Sequence, residues 1–118
     1  MSKSALSVIV FGVYLVGMGA GFIFAPNLLL GTLGMPATQE VWSRVVGVLA
    51  LILAYYYINA ARNDLRLFFG WSVHTRIGAF AAFVALVVTG YAGPMLAVLG
   101  GVDLLSALWT AFALRGEK

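Results

Sequence analysis

Asp103 is the residue in this 118-residue chain with the most capacity for chemistry, because it stands about midway along an otherwise apolar run. An ionised side chain at the centre of a bilayer-spanning helix costs roughly 2.5–3.5 kcal/mol on insertion scales. Such a group must face the protein interior and find a partner, or stay protonated. Ser106 and Thr110 follow at helical spacing, so Asp103, Ser106, Ala107 and Thr110 share one face of the helix. That face reads either as a ligand or proton site, or as half of a buried ion pair that fixes helix register.

Arg44 is the expected partner. It lies about 5 Å below the outer end of the second apolar run, and Asp103 about 13 Å below the same surface, at 1.5 Å per residue. A guanidinium on a long stem can close that gap. Arg44, Gly47, Leu51, Tyr55, Asn59 and Arg62 fall on one broad face of this helix. Set against the polar face around Asp103, they would line an interior cleft that Tyr14 could join. Arg76, near the inner end of the third run, is a second candidate, though snorkelling to the headgroups also explains it. Tyr55, Tyr56 and Tyr57 are consecutive and point in different directions around a helix, so at least one must meet lipid.

Several chemistries are excluded. The chain has no cysteine, which removes disulfides, thiol catalysis and cysteine-based metal sites. His74 is the single histidine, has no carboxylate cluster beside it, and reads as an interfacial ring bonded to water. No nucleophile elbow, phosphate loop or dinucleotide fingerprint occurs. No residue is therefore assigned a catalytic or metal-binding role, and no cofactor is expected.

The elements that must position these residues follow from composition. A hydrophobic content of 63% against 9% charged residues leaves too little polar surface to cover a small soluble domain. Four runs, residues 5–25, 41–61, 71–91 and 95–114, each approach the roughly 20 residues needed to span a hydrocarbon core. They predict one all-α domain, residues 1–118, built as a four-transmembrane-helix bundle. The first run, longer than the apolar core of a signal peptide and followed by three more, is expected to remain as a helix.

Lys3, Arg62, Arg66, Arg76, Arg115 and Lys118 collect on one side of this layout and only Arg44 on the other. Positive residues resist translocation, which places both termini in the cytoplasm. The cations form no patch for nucleic acid. Residues 27–35 are too apolar for a solvated loop and predict a short interfacial or re-entrant segment, followed by a polar turn at 36–40. Residues 62–69 mix charge with aromatics and suit the headgroup zone. Gly17 and Gly21 form a small-xxx-small pattern, repeated by Gly78 and Ala82, Ala81 and Ala85, and Ala107 and Ala111, for close helix packing. A faint repeat relates Pro26 and Trp42 to Pro94 and Trp109.

The series Trp42, Ser43, Arg44, Val45, Val46, Gly47, then Tyr55 and Tyr56, then Ala60, Ala61 and Arg62, then Trp71, Ser72, Val73 and Arg76, resembles small bacterial four-helix membrane proteins of the DoxX-like and BphX-like kind. The resemblance covers most of the chain. It implies the four-helix fold, a place in a bacterial inner membrane, an association of some members with oxidoreductase or degradative systems, and roles for Arg44 and Arg76 beyond incidental charge.

The leading expectation is an accessory or binding protein that holds a lipid, quinone or similar hydrophobic molecule among Asp103, Arg44, Tyr55, Asn59, Arg76, Tyr14, Ser106 and Thr110. Three alternatives are a proton-coupled transporter using Asp103, a lipid-modifying enzyme with Asp103 or His74 as acid–base group, and a structural subunit. The expected partners are the bilayer, a hydrophobic small molecule, and a second copy or larger membrane complex. A fluorescent-protein fusion after residue 118 should be bright and a phosphatase fusion there inactive; the opposite pair of readings would reverse the orientation.

Overall fold

In the computed structural model, residues 1–32, 34–37 and 41–117 are described. Of the expected polar turn at 36–40, Thr38, Gln39 and Glu40 lie outside the described residues, as do Leu33 of the expected 27–35 segment and the terminal Lys118. Among those described there are five helices and no strand: α1 (Lys3–Phe24), α2 (Pro26–Thr32), α3 (Trp42–Arg62), α4 (Arg66–Val88) and α5 (Met95–Gly116). All but α2 are long and apolar enough to cross a membrane.

The long helices form an open arc in the order α3, α1, α5, α4. Neighbours along the arc pack closely, while its two ends, α3 and α4, barely touch. The result is flattened, with Cα extents of 46 × 29 × 17 Å. Ala5, Val8, Phe11, Tyr57, Ala60, Ala61 and Phe69 form the core, in the half of the molecule that carries both termini.

Glycine makes the α1–α3 contact possible. A Cβ on Gly19 would sit 2.8 Å from the carbonyl oxygen of Gly47, and one on Gly47 would sit 2.6 Å from that of Gly19. The two backbones therefore touch, and Gly12 opposite Ile58 and Tyr57 extends the seam. This is not the expected pair. Gly17 faces open space, and Gly21 instead accommodates Leu29 of α2. Gly78 also faces open space, whereas Gly100 admits the Phe83 side chain between α4 and α5.

The third long helix starts earlier than its apolar run implies, at Arg66 rather than residue 71. Asp64 supplies the reason. It takes a left-handed φ of 51°, turning the chain within three residues of α3. Its carboxylate accepts a 2.9 Å bond from Ser2 Oγ and meets Arg66 Nε at 3.4 Å. Helix can then resume at once, and Phe69, expected among headgroups, is fully buried instead. At the other end Gly90, at φ 88°, stops α4: Gly90 N–H donates to the Val87 carbonyl and Tyr91 N–H to that of Leu86. Pro26 opens the short α2 but Pro94 caps the long α5, so the faint repeat falls on unlike elements.

Polar caps close the terminal end. Ser2 Oγ accepts from Ala5 N–H at the start of α1. Glu117, just beyond α5, accepts from Ser4 Oγ at 2.6 Å and from Ser4 N–H at 3.0 Å, and pairs with Arg66 at 3.5 Å. The two Ser4 bonds, and secondarily Arg66, hold the Glu117 carboxyl below the usual range for glutamate. One side chain thus ties α1, α4 and α5 together. Gly19→Ala should lower unfolding stability in detergent by about 1–3 kcal/mol through overpacking, whereas Gly17→Ala should leave the thermal midpoint unchanged.

Candidate functional site

Arg76 organises the interior. It lies well inside α4, and only 3% of its surface is exposed. Its Nε donates to the Ser72 carbonyl at 3.1 Å, and Nη1 to Ser106 Oγ at 3.2 Å. Nη2 donates to Ser72 Oγ and to Thr110 Oγ1, both at 3.0 Å. Four of the five N–H groups of a guanidinium are thus spent on protein acceptors. The group also lies 5.0 Å from the Phe11 ring centroid and 5.8 Å from that of Tyr57. Burying a cation is tolerable only with such compensation. Arg76 does not snorkel to a surface, because the earlier start of α4 draws it inward, opposite the hydroxyls of α5.

The hydroxyls continue outward from Arg76. Thr110 meets Ser7 of α1 at 2.7 Å, and Ser7 Oγ reaches the Ser4 carbonyl at 2.7 Å. Ser106 Oγ donates to the Asp103 carbonyl and Thr110 to that of Ser106, so this part of α5 is saturated from both sides. The polar face predicted for α5 is therefore present, with Ala107 buried at its centre.

Asp103 stands apart from this network. Its side chain receives no hydrogen bond from any described residue, and no ion pair within 4.0 Å joins it to Arg76 or to another described cation. Only 9% of the residue is exposed. It lies on the wall of a cavity of about 510 Å³ on the concave side of the arc. Phe11, Tyr57 and Phe68 close the cavity toward the terminal end, with Tyr57 and Phe68 edge to face at 5.2 Å. Phe22, Val46, Phe83 and Leu99 line its far end. The side toward the α3–α4 gap is flanked by Tyr56 and Trp71, both of which line the cavity and remain more than half exposed.

Four expected site residues come together here: Asp103 and Arg76, with Ser106 and Thr110 behind Arg76. Tyr14 joins them on the cavity wall from α1. Three do not. Arg44 is exposed, and its Nη1 donates to the Ile23 carbonyl at the end of α1. It thus satisfies a free terminal carbonyl and places a cation at the negative end of that helix. Tyr55 points outward at 68% exposure, and Asn59 bonds back to the Tyr55 carbonyl at 2.9 Å. One rotation explains all three corrections. The Gly47 face of α3 is consumed by α1, so the residues expected opposite α5 are carried away from it, and Tyr56 and Tyr57 face the cavity instead. His74 is exposed and lies outside the cavity lining.

Sequence reasoning passed over Ser4, Ser7 and Ser72. The available signals were the i, i+3 spacing of Ser4 and Ser7 and the i, i+4 spacing of Ser72 and Arg76, each marking a polar stripe on an apolar helix. Among described residues no group of three histidine or acidic side chains could hold a metal ion. Compared with protein-family models, curated proteins and solved structures, the chain finds no match.

Chemically, the arrangement is an apolar, ring-lined hollow with one carboxylate that no described residue hydrogen-bonds and one arginine with four of its five N–H groups engaged. Arg76→Lys keeps the charge but not the planar fork, and should cost about 1–3 kcal/mol in detergent unfolding. Arg44→Ala, which loses an exposed cap, should cost about 1 kcal/mol or less.

Proposed function

We propose that this chain is a multi-pass protein of the bacterial inner membrane, of the DoxX-like kind, that holds a hydrophobic small molecule in the cavity on its concave face. Both termini lie in the cytoplasm on this reading, which rests on the distribution of basic residues. The short helix α2, folded back against α1 beside Leu29, acts as an interfacial or re-entrant cap on the outer side.

The observation that carries the reading is the cavity itself. At about 510 Å³ it falls within the range of roughly 300–1,000 Å³ common to small-molecule sites. Its walls are almost wholly carbon, and Asp103 is one of the few polar residues that line it. A register-fixing ion pair would place Asp103 against an arginine. Instead the carboxylate faces the hollow, and Arg76 is engaged by hydroxyls and rings.

A packed bundle would fill such a space with side chains, since protein interiors reach crystal-like density. A void lined by aromatic and aliphatic groups forfeits dispersion contacts that a bound molecule restores. The gap between α3 and α4 gives a molecule dissolved in the hydrocarbon layer a sideways approach, with no need to cross the packed terminal end. The protein thus acts as a membrane receptor or holder, and an accessory role to another membrane component follows from it.

Protein extracted in mild detergent should carry a hydrophobic small molecule detectable by mass spectrometry at near-stoichiometric amounts. The double variant Ala50→Phe, Ala79→Phe fills the cavity without touching its polar groups and should reduce the retained amount severalfold. Equal retention in the folded variant would refute the assignment.

A further inference from the structure

The polar atoms on the cavity wall limit which head group can be held. Ser72 Oγ donates to the Phe69 carbonyl and accepts from Arg76. Thr75 Oγ1 donates to the Ser72 carbonyl at 3.1 Å. Arg76 has spent four N–H groups on the protein. Tyr14 and Tyr56 also bring hydroxyls to the wall and one Nη1 N–H of Arg76 is left over, yet none of them bonds the Asp103 carboxylate, which is nine-tenths buried and without a hydrogen bond from a described residue. A carboxylate is an acceptor only, and leaving one unmet among apolar walls is costly. Asp103 therefore lacks a donor.

Charge narrows the choice further. With Asp103 ionised, it and Arg76 together sum to zero, and both lie in surroundings where a third unpaired charge would carry a heavy desolvation cost. An anionic head would face the Asp103 carboxylate directly. A cationic head would leave the site with a net positive charge beside the guanidinium. A quaternary ammonium would in addition offer no N–H. An uncharged head that donates a hydrogen bond satisfies Asp103 and preserves neutrality.

We infer that the cavity selects an uncharged amphiphile whose hydroxyl group donates to Asp103, its apolar body lying among the rings and leaving sideways between Tyr56 and Trp71. This deepens the binding reading and rests on it. The hydroxyl could be carried by an alkyl chain or by an aromatic ring; the chemistry recognised is the same. Asp103 is then the residue that sets head-group specificity, and Arg76 is a positioning residue that fixes α4 against α5 beside it.

Trp71 supplies the readout, because Trp42 and Trp109 do not line the cavity. In a Trp42→Phe, Trp109→Phe background, brominated probes that enter the cavity should quench the remaining tryptophan saturably. Four probes share one brominated alkyl chain of about ten carbons, as a primary alcohol, its methyl ether, a carboxylic acid and a trimethylammonium; a fifth, a brominated phenol of equal size, carries the aromatic hydroxyl. The alcohol or the phenol should bind about tenfold or more tighter than the ether, and tighter than either charged probe. Whichever hydroxyl probe is tighter identifies the carrier. Asp103→Leu should remove the preference for hydroxyl over ether, and Asp103→Asn should weaken it.

Equal binding of alcohol, phenol and ether to the wild-type cavity, or tightest binding of a charged probe, would overturn the head-group assignment while leaving the binding reading intact. Absence of saturable quenching by every probe would overturn both. The order of the probes on the wild-type cavity decides the question even if Asp103→Leu does not fold.

Discussion

Burying the guanidinium of Arg76 imposes a condition on every long helix. Arginine stays charged in a protein, so the bundle must bring it acceptors and ring faces or not form. Ser72 supplies them from the same helix, Ser106 and Thr110 from α5, Phe11 from α1 and Tyr57 from α3. All four long helices thus converge on one side chain. The Ser7–Thr110 bond then locks α1 to α5 directly behind it. Hydrophobicity gives little net pull between helices in lipid, so a directional requirement of this kind, added to backbone contact at Gly19 and Gly47, can set the arc as well as hold it.

Packing is divided unequally along the molecule. The terminal half is dense: alanines, serines and Phe69 bring helices together, and Glu117 and Asp64 stitch their ends. Toward the other half, α3 and α4 diverge and the cavity opens between them. Dense packing at one end keeps the separated helices in register, so the hollow can persist without contact across its mouth. Dense packing and the cavity are thereby assigned to different regions of one short chain.

The chain contains two arginines within its apolar runs, and they do different things. Arg44 serves a helix end at the surface, meeting the Ile23 carbonyl. Arg76 is enclosed and serves the interior. Their depths along the sequence runs are similar at first sight, and neither residue type nor hydropathy separates them. What separates them is the face of the helix each occupies once its neighbour has been chosen. For Arg44 that neighbour is α1, chosen by glycine; for Arg76 it is α5, chosen by hydroxyls.

Composition alone settled the helical class and the four apolar lengths, because a chain this poor in charge has no other way to satisfy its backbone in a low-dielectric surround. The spacing of Asp103, Ser106 and Thr110 likewise made the polar face of α5 legible, since a helix repeats every 3.6 residues whatever surrounds it. Which arginine meets that face was not legible. Gly12, Gly19 and Gly47 look no different in sequence from Gly17 and Gly78, yet only the first three lie where backbones touch, and their contact fixes the rotation of α3. That rotation sends Arg44 and Tyr55 outward and Tyr57 inward. The start of α4 was hidden for a related reason: it depends on Asp64 adopting a left-handed turn held by Ser2, a contact across 62 residues that no local pattern encodes. Periodicity defines faces within a helix; only the packed structure, by pairing those faces, decides which charges are enclosed.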